Sequence, residues 1–349
     1  MPKKYRVAVI GAGGIGHHHI MGFQQSPYAE VIAIAEKNAA RAREAQSKFG
    51  IPDCHDDYKE VLRRKDIQVV SIALPNHLHA PVATAALNAG KHVLLDKPMA
   101  TNARDAARII VAARRDGRVF MVGQNMRFDR DAQALKRAIE AGDLGRIYHA
   151  RAYWNRRSGI PRIGSWFTRK KYAGGGACYD IGVHLLDLTL HLMGQFNVQS
   201  VCGAVTGYLG AQGFGEGDWG RSEIDPRKTF DVEDRALALL RLKNDATVYL
   251  EVGWAGFQEQ DDHHGVELLG DKAGARWHPA RIFRPGKGKF IVEQLKPDKL
   301  PYPQERMVHF MECVALGRKP LVPAQESLHV QRVLDALYQS SRLRREVRL

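Results

Sequence analysis

The first third of the chain alternates two kinds of segment. Short β-branched runs (YRVAVI, VIAIAE, VVSIAL, HVLLD and VFMVG) are separated by Ala- and Arg-rich stretches such as AARAREAQSKFG, APVATAALNAG and ARDAARIIVAARRDG. Continuous apolar runs read as strands buried on both faces, and helices between them make the sheet parallel. Right-handed crossovers then leave a doubly wound α/β fold over residues 1–122. Beyond that point the pattern loosens. DAQALKRAIEAGDLG and CYDIGVHLLDLTLH read as helices, and VQSVCGAV, RALALLRL, ATVYLEVGW and GVELLG as strands. Lys243-Asn244-Asp245 reads as the link of an antiparallel hairpin. Residues 123–349 are therefore expected to form an α+β domain on a large antiparallel sheet, one face of which helices or a partner subunit must cover. The Gly- and Asp-rich stretch from Gly207 to Lys228 reads as a long irregular loop.

The strongest local signal is YRVAVIGAGGIGHHH, which sets Gly11-x-Gly13-x-x-Gly16 between a strand and a helix. The first glycine makes the tight turn, the second lets backbone amides approach a pyrophosphate, and the third lets helix and strand pack. Gly14 and Ile15 complete that loop. VIAIAE ends at Glu36, 20 residues after Gly16, where a carboxylate accepts from a ribose 2′-hydroxyl and repels a 2′-phosphate. NAD is therefore expected in preference to NADP. Lys37, itself a candidate cofactor contact, and Arg41 temper that preference. His17, His18 and His19 fan about 100° apart on a helix and cannot share one ion. They are read as first-turn residues near phosphate or ribose.

Two further places hold candidate chemistry. HVLLD stops at Asp96-Lys97-Pro98, and ligands of open α/β sheets lie beyond the carboxyl ends of strands, so Lys97 is expected at the cofactor cleft. A lysine there holds a substrate oxygen by a charge-assisted hydrogen bond. In CYDIGVHLLDLTLH, Asp180, His184, Asp187 and His191 fall at steps of four, three and four, one stripe of an α-helix. That stripe fits a metal site, a proton-handling site or the wet side of a helix.

These pieces together resemble the Gfo/Idh/MocA oxidoreductases, the group of glucose-fructose oxidoreductase and inositol dehydrogenase. The likeness runs through GAGGIGHHH, LPNHLHAP, DKP in place of the more common EKP, and GGGACYDIGVHLLDL, matching G-G-G-x-x-x-D-x-G-x-H. The resemblance implies a Rossmann domain and an α/β domain with a large open sheet, commonly buried in homodimers or homotetramers. It implies a nicotinamide cofactor, a sugar or polyol substrate, and a catalytic trio carried here by Lys97, Asp180 and His184. It points to Leu74, Pro75, Asn76, His79 and Gln124 as cofactor contacts, with Asn125 and Arg127 on the substrate side.

The stripe then divides. One helix supplies only neighbouring groups to an ion, so no metal is expected. Asp180 and His184 face the nicotinamide; Asp187 and His191 are structural or interfacial. Oxidation of a secondary hydroxyl requires a base, and His184 has the right chemistry at neutral pH. Lys97 holds the same oxygen. Asp180 orients the imidazole, binds a neighbouring hydroxyl, or satisfies free helix amides. RAYWNRRSG offers Tyr153, Asn155 and Arg157 to the sugar, because alternate strand residues share a face. Trp166 of GSWFTRKK is expected to line the nicotinamide or sugar site. Phe167 stands where many relatives have Arg, and Arg169 follows two residues later. The alternatives are a redox-assisted glycoside hydrolase that returns the hydride to its substrate, and a noncatalytic NAD-sensing protein.

Composition narrows the setting. Lys and Arg number 52 against 38 Asp and Glu, a net charge of +14. The basic residues are spread over RRKD, ARRDG, TRKK and SRLRREVRL, not gathered in one stripe, so nucleic acid is not the expected partner. Anionic cofactors or substrates account for the charge more simply. The four cysteines (54, 178, 202 and 313) include no C-x-x-C pair and read as free thiols in a reducing cytoplasm. No signal peptide and no apolar run of membrane-spanning length are seen, so a cytoplasmic protein without membrane partners is expected.

Overall fold

Six strands, β1 (Tyr5–Ile10), β2 (Ala29–Ala35), β3 (Asp53–His55), β4 (Val69–Ile72), β5 (His92–Leu95) and β6 (Phe120–Val122), pair in the order β3-β2-β1-β4-β5-β6. Every pairing is parallel. Helices α1 (Gly14–Gln24), α2 (Ala39–Phe49), α3 (Tyr58–Arg63), α4 (His79–Asn88) and α5 (Ala103–Ala113) carry the crossovers. All four residues of β4 and all three of β6 are buried, as apolar runs covered on both faces require. The strand order reverses between β1 and β4, and ligands of such sheets bind beyond the strand ends at that point. The computed structural model describes residues 2–114, 117–220, 222–296 and 300–349. Arg115 and Asp116, the end of the ARDAARIIVAARRDG stretch, lie outside them.

The second unit is built on β7 (Ile147–Arg156), β8 (Ile160–Pro161), β9 (Val198–Thr206), β10 (Glu216–Gly217), β11 (Arg235–Leu242), β12 (Thr247–Gly253), β13 (Asp262–Gly270), β14 (Gly274–Trp277), β15 (Arg281–Gly286), β16 (Lys289–Gln294) and β17 (Val347–Arg348). Nine of these form one sheet in the order β16-β15-β14-β13-β7-β12-β11-β9-β17. Among the described residues only β7 and β12 run parallel in it. The hairpin around Lys243-Asn244-Asp245 pairs Arg235 with Gly253 through Arg241 with Thr247. On β11, Ala236, Ala238, Leu240 and Leu242 are buried, while Leu237 and Leu239 on the other face are exposed. Helices α6 (Arg130–Glu140), α7 (Lys170–Ala173) and α8 (Val183–Met193) belong to this unit, and apolar residues of α6 and α8 share one core with the inward face of the sheet. The Gly207–Lys228 stretch is largely irregular but contributes β10, which pairs in parallel with β8; Arg221 within it is outside the described residues.

The last helices, α9 (Arg306–Leu316) and α10 (Ala324–Leu343), change the expected division at residue 123. The first unit runs to Gly123 and also takes in Glu305–Leu328, with a short piece near residue 220. The second comprises Gln124–Trp219, Glu223–Gln304 and His329–Leu349. Phe310 of α9 packs edge-on against Phe23 of α1, ring centres 6.4 Å apart. An apolar stripe on a helix shows that the helix must cover something; it does not say which sheet.

Candidate functional site

The glycine loop contains two kinds of glycine. Gly11 has φ +95°, and a Cβ there would lie 2.3 Å from the Ala73 carbonyl oxygen; a Cβ on Gly16 would lie 2.0 Å from that of Gly11. These two are demanded by packing of the chain on itself. A Cβ on Gly13 or Gly14 would meet nothing within 4 Å, so their bareness leaves room for something outside the chain. Gly13 caps α1 with no side-chain hydrogen bond, and the first turn has no acidic residue. The α1 amides are thus left to an anion. Ile15 is exposed beside them. Glu36, just past β2, accepts from the Ala12 and Asn38 amides, each at 2.9 Å, which holds the loop while leaving lone pairs for a ribose hydroxyl. Lys37 is exposed.

Leu74 and Pro75 follow β4 half-buried, and Asn76 is buried. His79 corrects the expectation of a cofactor contact. Its ring is buried, with Nδ1 at 2.7 Å from the Pro98 carbonyl oxygen and Nε2 at 2.7 Å from that of Leu74. It is a strut between the turn after β4 and the Lys97-Pro98 turn after β5, and burial pushes its pKa down. Lys97 itself is half-buried at the end of β5.

Behind Lys97 lies a buried polar cluster. Arg306 Nη2 of α9 sits 3.1 Å from His19 Nε2, and His19 Nδ1 sits 2.8 Å from Ser71 Oγ. A guanidinium only donates, so Nε2 must accept, and the proton resides on Nδ1, which donates to Ser71. Asp96 Oδ1 lies 3.7 Å from His19 Nε2 and 3.8 Å from Arg306 Nη2. Burial would raise the Asp96 pKa, but its polar surroundings, the Arg306 and Lys97 charges among them, hold the carboxyl well below the usual range. The three histidines therefore have three surroundings. His17 packs edge-on against Phe49 at 5.0 Å, His18 is exposed near Glu305, and His19 is in this cluster. Of the three rings, that of His19 is committed to the chain's own polar groups.

In the second unit, the run Gly174-Gly175-Gly176 leads into one wide π-helical turn, Cys178–Gly182, before α8. Glu233 anchors that turn: its carboxylate accepts from the Gly176 amide at 2.9 Å, the Cys178 amide at 2.9 Å and the Tyr338 hydroxyl at 2.6 Å. A Cβ on Gly176 would lie 1.9 Å from the Glu233 carbonyl oxygen. The π turn revises the stripe, because Asp180 and His184 are not related by regular α-helical steps. Asp180 Oδ2 accepts from Nε1 of the fully buried Trp254 at 3.0 Å. His184 is half-buried, its ring 6.4 Å from that of Trp154. Asp187 makes a two-pronged ion pair with Arg127, at 2.8 Å from Nε and 2.7 Å from Nη2, with both side chains buried. The Arg127 guanidinium also lies over Phe196. Arg127, expected as a substrate contact, is instead a core anchor. Burial, with the Arg127 and Lys136 charges, pushes the His191 pKa down to about 2.

The strand residues chosen for the sugar also require correction. Trp154 pairs with Val252 and His264 on the face shared with Ala150, Ala152 and α8. Tyr153 and Asn155 point to the opposite face, where Tyr153 meets Arg151 at 5.0 Å and Glu267 at 3.3 Å. Alternation shows that 153 and 155 share a face without saying which one meets His184. Arg157 lies beyond β7, bonded to the Gln258 and Glu259 carbonyls and paired with Asp261 at 2.6 Å. Trp166 stacks on Phe167 at 3.8 Å, and Phe167 meets Trp219 edge-on. Arg169 lies over Tyr172 and near Asp225. Gln124 is buried, with no hydrogen-bond partner for Oε1 among the described residues; Asn125 is exposed. Among the described residues no cluster of three or more His, Cys, Asp or Glu side chains is arranged to hold a metal, and no helix is long and apolar enough to cross a membrane.

Comparison with known proteins agrees with this architecture. Residues 5–124 match the oxidoreductase family with an NAD-binding Rossmann fold, and residues 132–276 match the GFO/IDH/MocA C-terminal domain. D-glucoside 3-dehydrogenase of Escherichia coli is 31% identical over 342 residues, 96% of this chain and 95% of that protein. Levoglucosan dehydrogenase of Pseudarthrobacter phenanthrenivorans is 32% identical over 264 residues, 71% of this chain and 67% of the relative. A solved levoglucosan dehydrogenase complex with NADH superposes with a TM-score of 0.85, covering 99% of both chains at 23% identity. The chain belongs to the GFO/IDH/MocA oxidoreductase family. It is an NAD-dependent oxidoreductase, and its residues fit that cofactor: Gly11–Gly16 and the bare start of α1 would hold the pyrophosphate, and Glu36 the ribose.

Proposed function

We propose that the protein is an NAD-dependent dehydrogenase oxidising a secondary hydroxyl of a sugar, glycoside or inositol, with NAD favoured over NADP. Bound NAD supplies the hydride acceptor. His184 takes the hydroxyl proton, and Lys97 holds the oxygen and stabilises its developing charge. Asp180, fixed by Trp254, keeps a carboxylate one turn before His184 and orders the reacting end of the sugar. Trp154 offers a ring against which a pyranose face packs. The observation that carries this reading is the half-exposed His184 imidazole beside an aromatic wall, in a chain aligned over 96% of its length with a glucoside dehydrogenase.

The test is NADH formation with NAD and a panel of pyranosides and inositols. His184→Asn and Lys97→Met should each lower kcat by about 10²–10⁴ with NAD affinity retained. Silence across the panel, or full activity in both variants, overturns the reading; aglycone release without net NADH would instead mark redox-assisted bond cleavage. The outer face of the nine-stranded sheet, with Leu237, Leu239 and Leu269 exposed, is proposed as the homo-oligomer interface.

A further inference from the structure

We propose that a row of rings from Trp154 through His264 to His278 is a second carbohydrate subsite, so that the substrate is a glycoside with a second ring beyond the one oxidised. The proposal rests on His184 being the reacting end.

The row crosses the sheet from strand to strand. Trp154 lies on β7, His264 is its direct partner on the adjacent β13, and His278 follows the last residue of β14, the next strand. Ring centres are 5.2 Å apart between Trp154 and His264, and 6.1 Å between His264 and His278, whose planes differ by only 13°. Trp154 is itself 6.4 Å from His184, so the row continues past the base by more than a single pyranose covers. Exposure rises along it: the His264 side chain is 33% exposed and that of His278 52%. A ligand anchored at His184 would thus lead outward over these rings toward solvent.

Each histidine is held by one edge. Asp262 Oδ1 lies 2.9 Å from His264 Nδ1, and Asp131 Oδ2 lies 3.1 Å from His278 Nδ1. The other Asp262 oxygen receives Arg156 Nε at 3.3 Å, and the Arg156 guanidinium covers Trp154 at 4.6 Å. Buried Trp277 backs both imidazoles, with ring centres 6.0 and 5.6 Å away. With Nδ1 used by a carboxylate, Nε2 is the edge left to a ligand hydroxyl, and the ring face is fixed in orientation beside it. Aromatic faces with a few placed polar groups are how small polar ligands are gripped.

The experiment compares a monosaccharide, its methyl glycoside and a disaccharide of the same sugar, using the whole protein with NAD. The wild type should prefer the disaccharide at least tenfold in kcat/KM. In the His264→Ala/His278→Ala double variant that preference should vanish while monosaccharide turnover stays within twofold, and His264→Phe/His278→Phe should restore most of it. Equal losses on both sugars, or no preference in the wild type, overturn the subsite. Saturation-transfer NMR of the disaccharide reads the second ring directly and needs no turnover. Labelling of that ring in the wild type and its loss in the alanine variant support the subsite even if no sugar is oxidised. Labelling confined to one ring sinks it even if the dehydrogenase stands.

Discussion

The glycine loop after β1 and strand β7 both carry expected ligand contacts, and they differ in how their geometry is decided. In the loop, every constraint comes from residues adjacent in sequence or one strand away: Gly16 is closed by Gly11, and Glu36 by Ala12. On β7, the role of each residue depends on which side α8 covers, and α8 begins 27 residues after the strand ends, Arg156 to Val183. Local stereochemistry therefore constrains the loop residue by residue. For the strand it supplies only a pairing of alternate positions.

The largest effect should come from adding a methyl group in the loop. Gly16→Ala, whose Cβ would fall on the Gly11 carbonyl, should abolish NAD binding and lower the thermal midpoint. Gly13→Ala meets nothing in the protein, so it should leave the midpoint within about 2 °C yet weaken NAD by at least tenfold, about 1.4 kcal/mol. Calorimetric titration beside thermal melts separates the two. Unchanged NAD affinity in Gly13→Ala would mean that the open space there is not the cofactor's.

A second variant sharpens the other side. Arg127→Met leaves Asp187 buried without its partner and should cost about 3–5 kcal/mol of stability. A substrate ligand would behave differently, raising KM at constant stability. A stable protein with raised KM would return Arg127 to the sugar site.

A further test lies in the pH dependence of stability. His191 titrates at about 2 in the folded chain against an ordinary 6.5, so between these values only the unfolded chain binds the proton. Stability should therefore fall as pH drops below about 6.5 and show no contribution from this group above it. The unfolding free energy of His191→Gln, from urea titrations between pH 7 and pH 4, should fall less steeply than that of the wild type, by a slope equivalent to up to one proton. Identical slopes would show that the ring is protonated in the folded protein.

Much of the molecule is legible in its sequence. Apolar runs broken by helices announce the parallel sheet, and strict alternation in RALALLRL announces a strand with one buried face. Glycine spacing followed by Glu36 announces the nucleotide loop, because the turn, the helix start and the carboxylate that braces them are close in the chain or one strand apart. The place of Lys97 in the fold was legible for a similar reason, since it stands where a buried strand ends. Glu233, Trp254 and Arg306 were not. The first caps a turn 55 residues earlier, the second binds a carboxylate 74 residues away, and the third reaches a histidine 287 residues back. No periodicity links such positions.

The sequence by itself determined the elements, the cofactor loop and the inventory of reactive groups, since these follow from backbone stereochemistry and side-chain chemistry within a few residues. Tertiary structure decided the rest: that Trp154 and not Tyr153 shares a face with His184, that Arg127 is spent on Asp187, and that His19 and His79 brace the chain around Lys97. The physical reason is that a side chain's role depends on what is packed against it, and a strand or helix presents several faces with equal local chemistry until another element covers one of them.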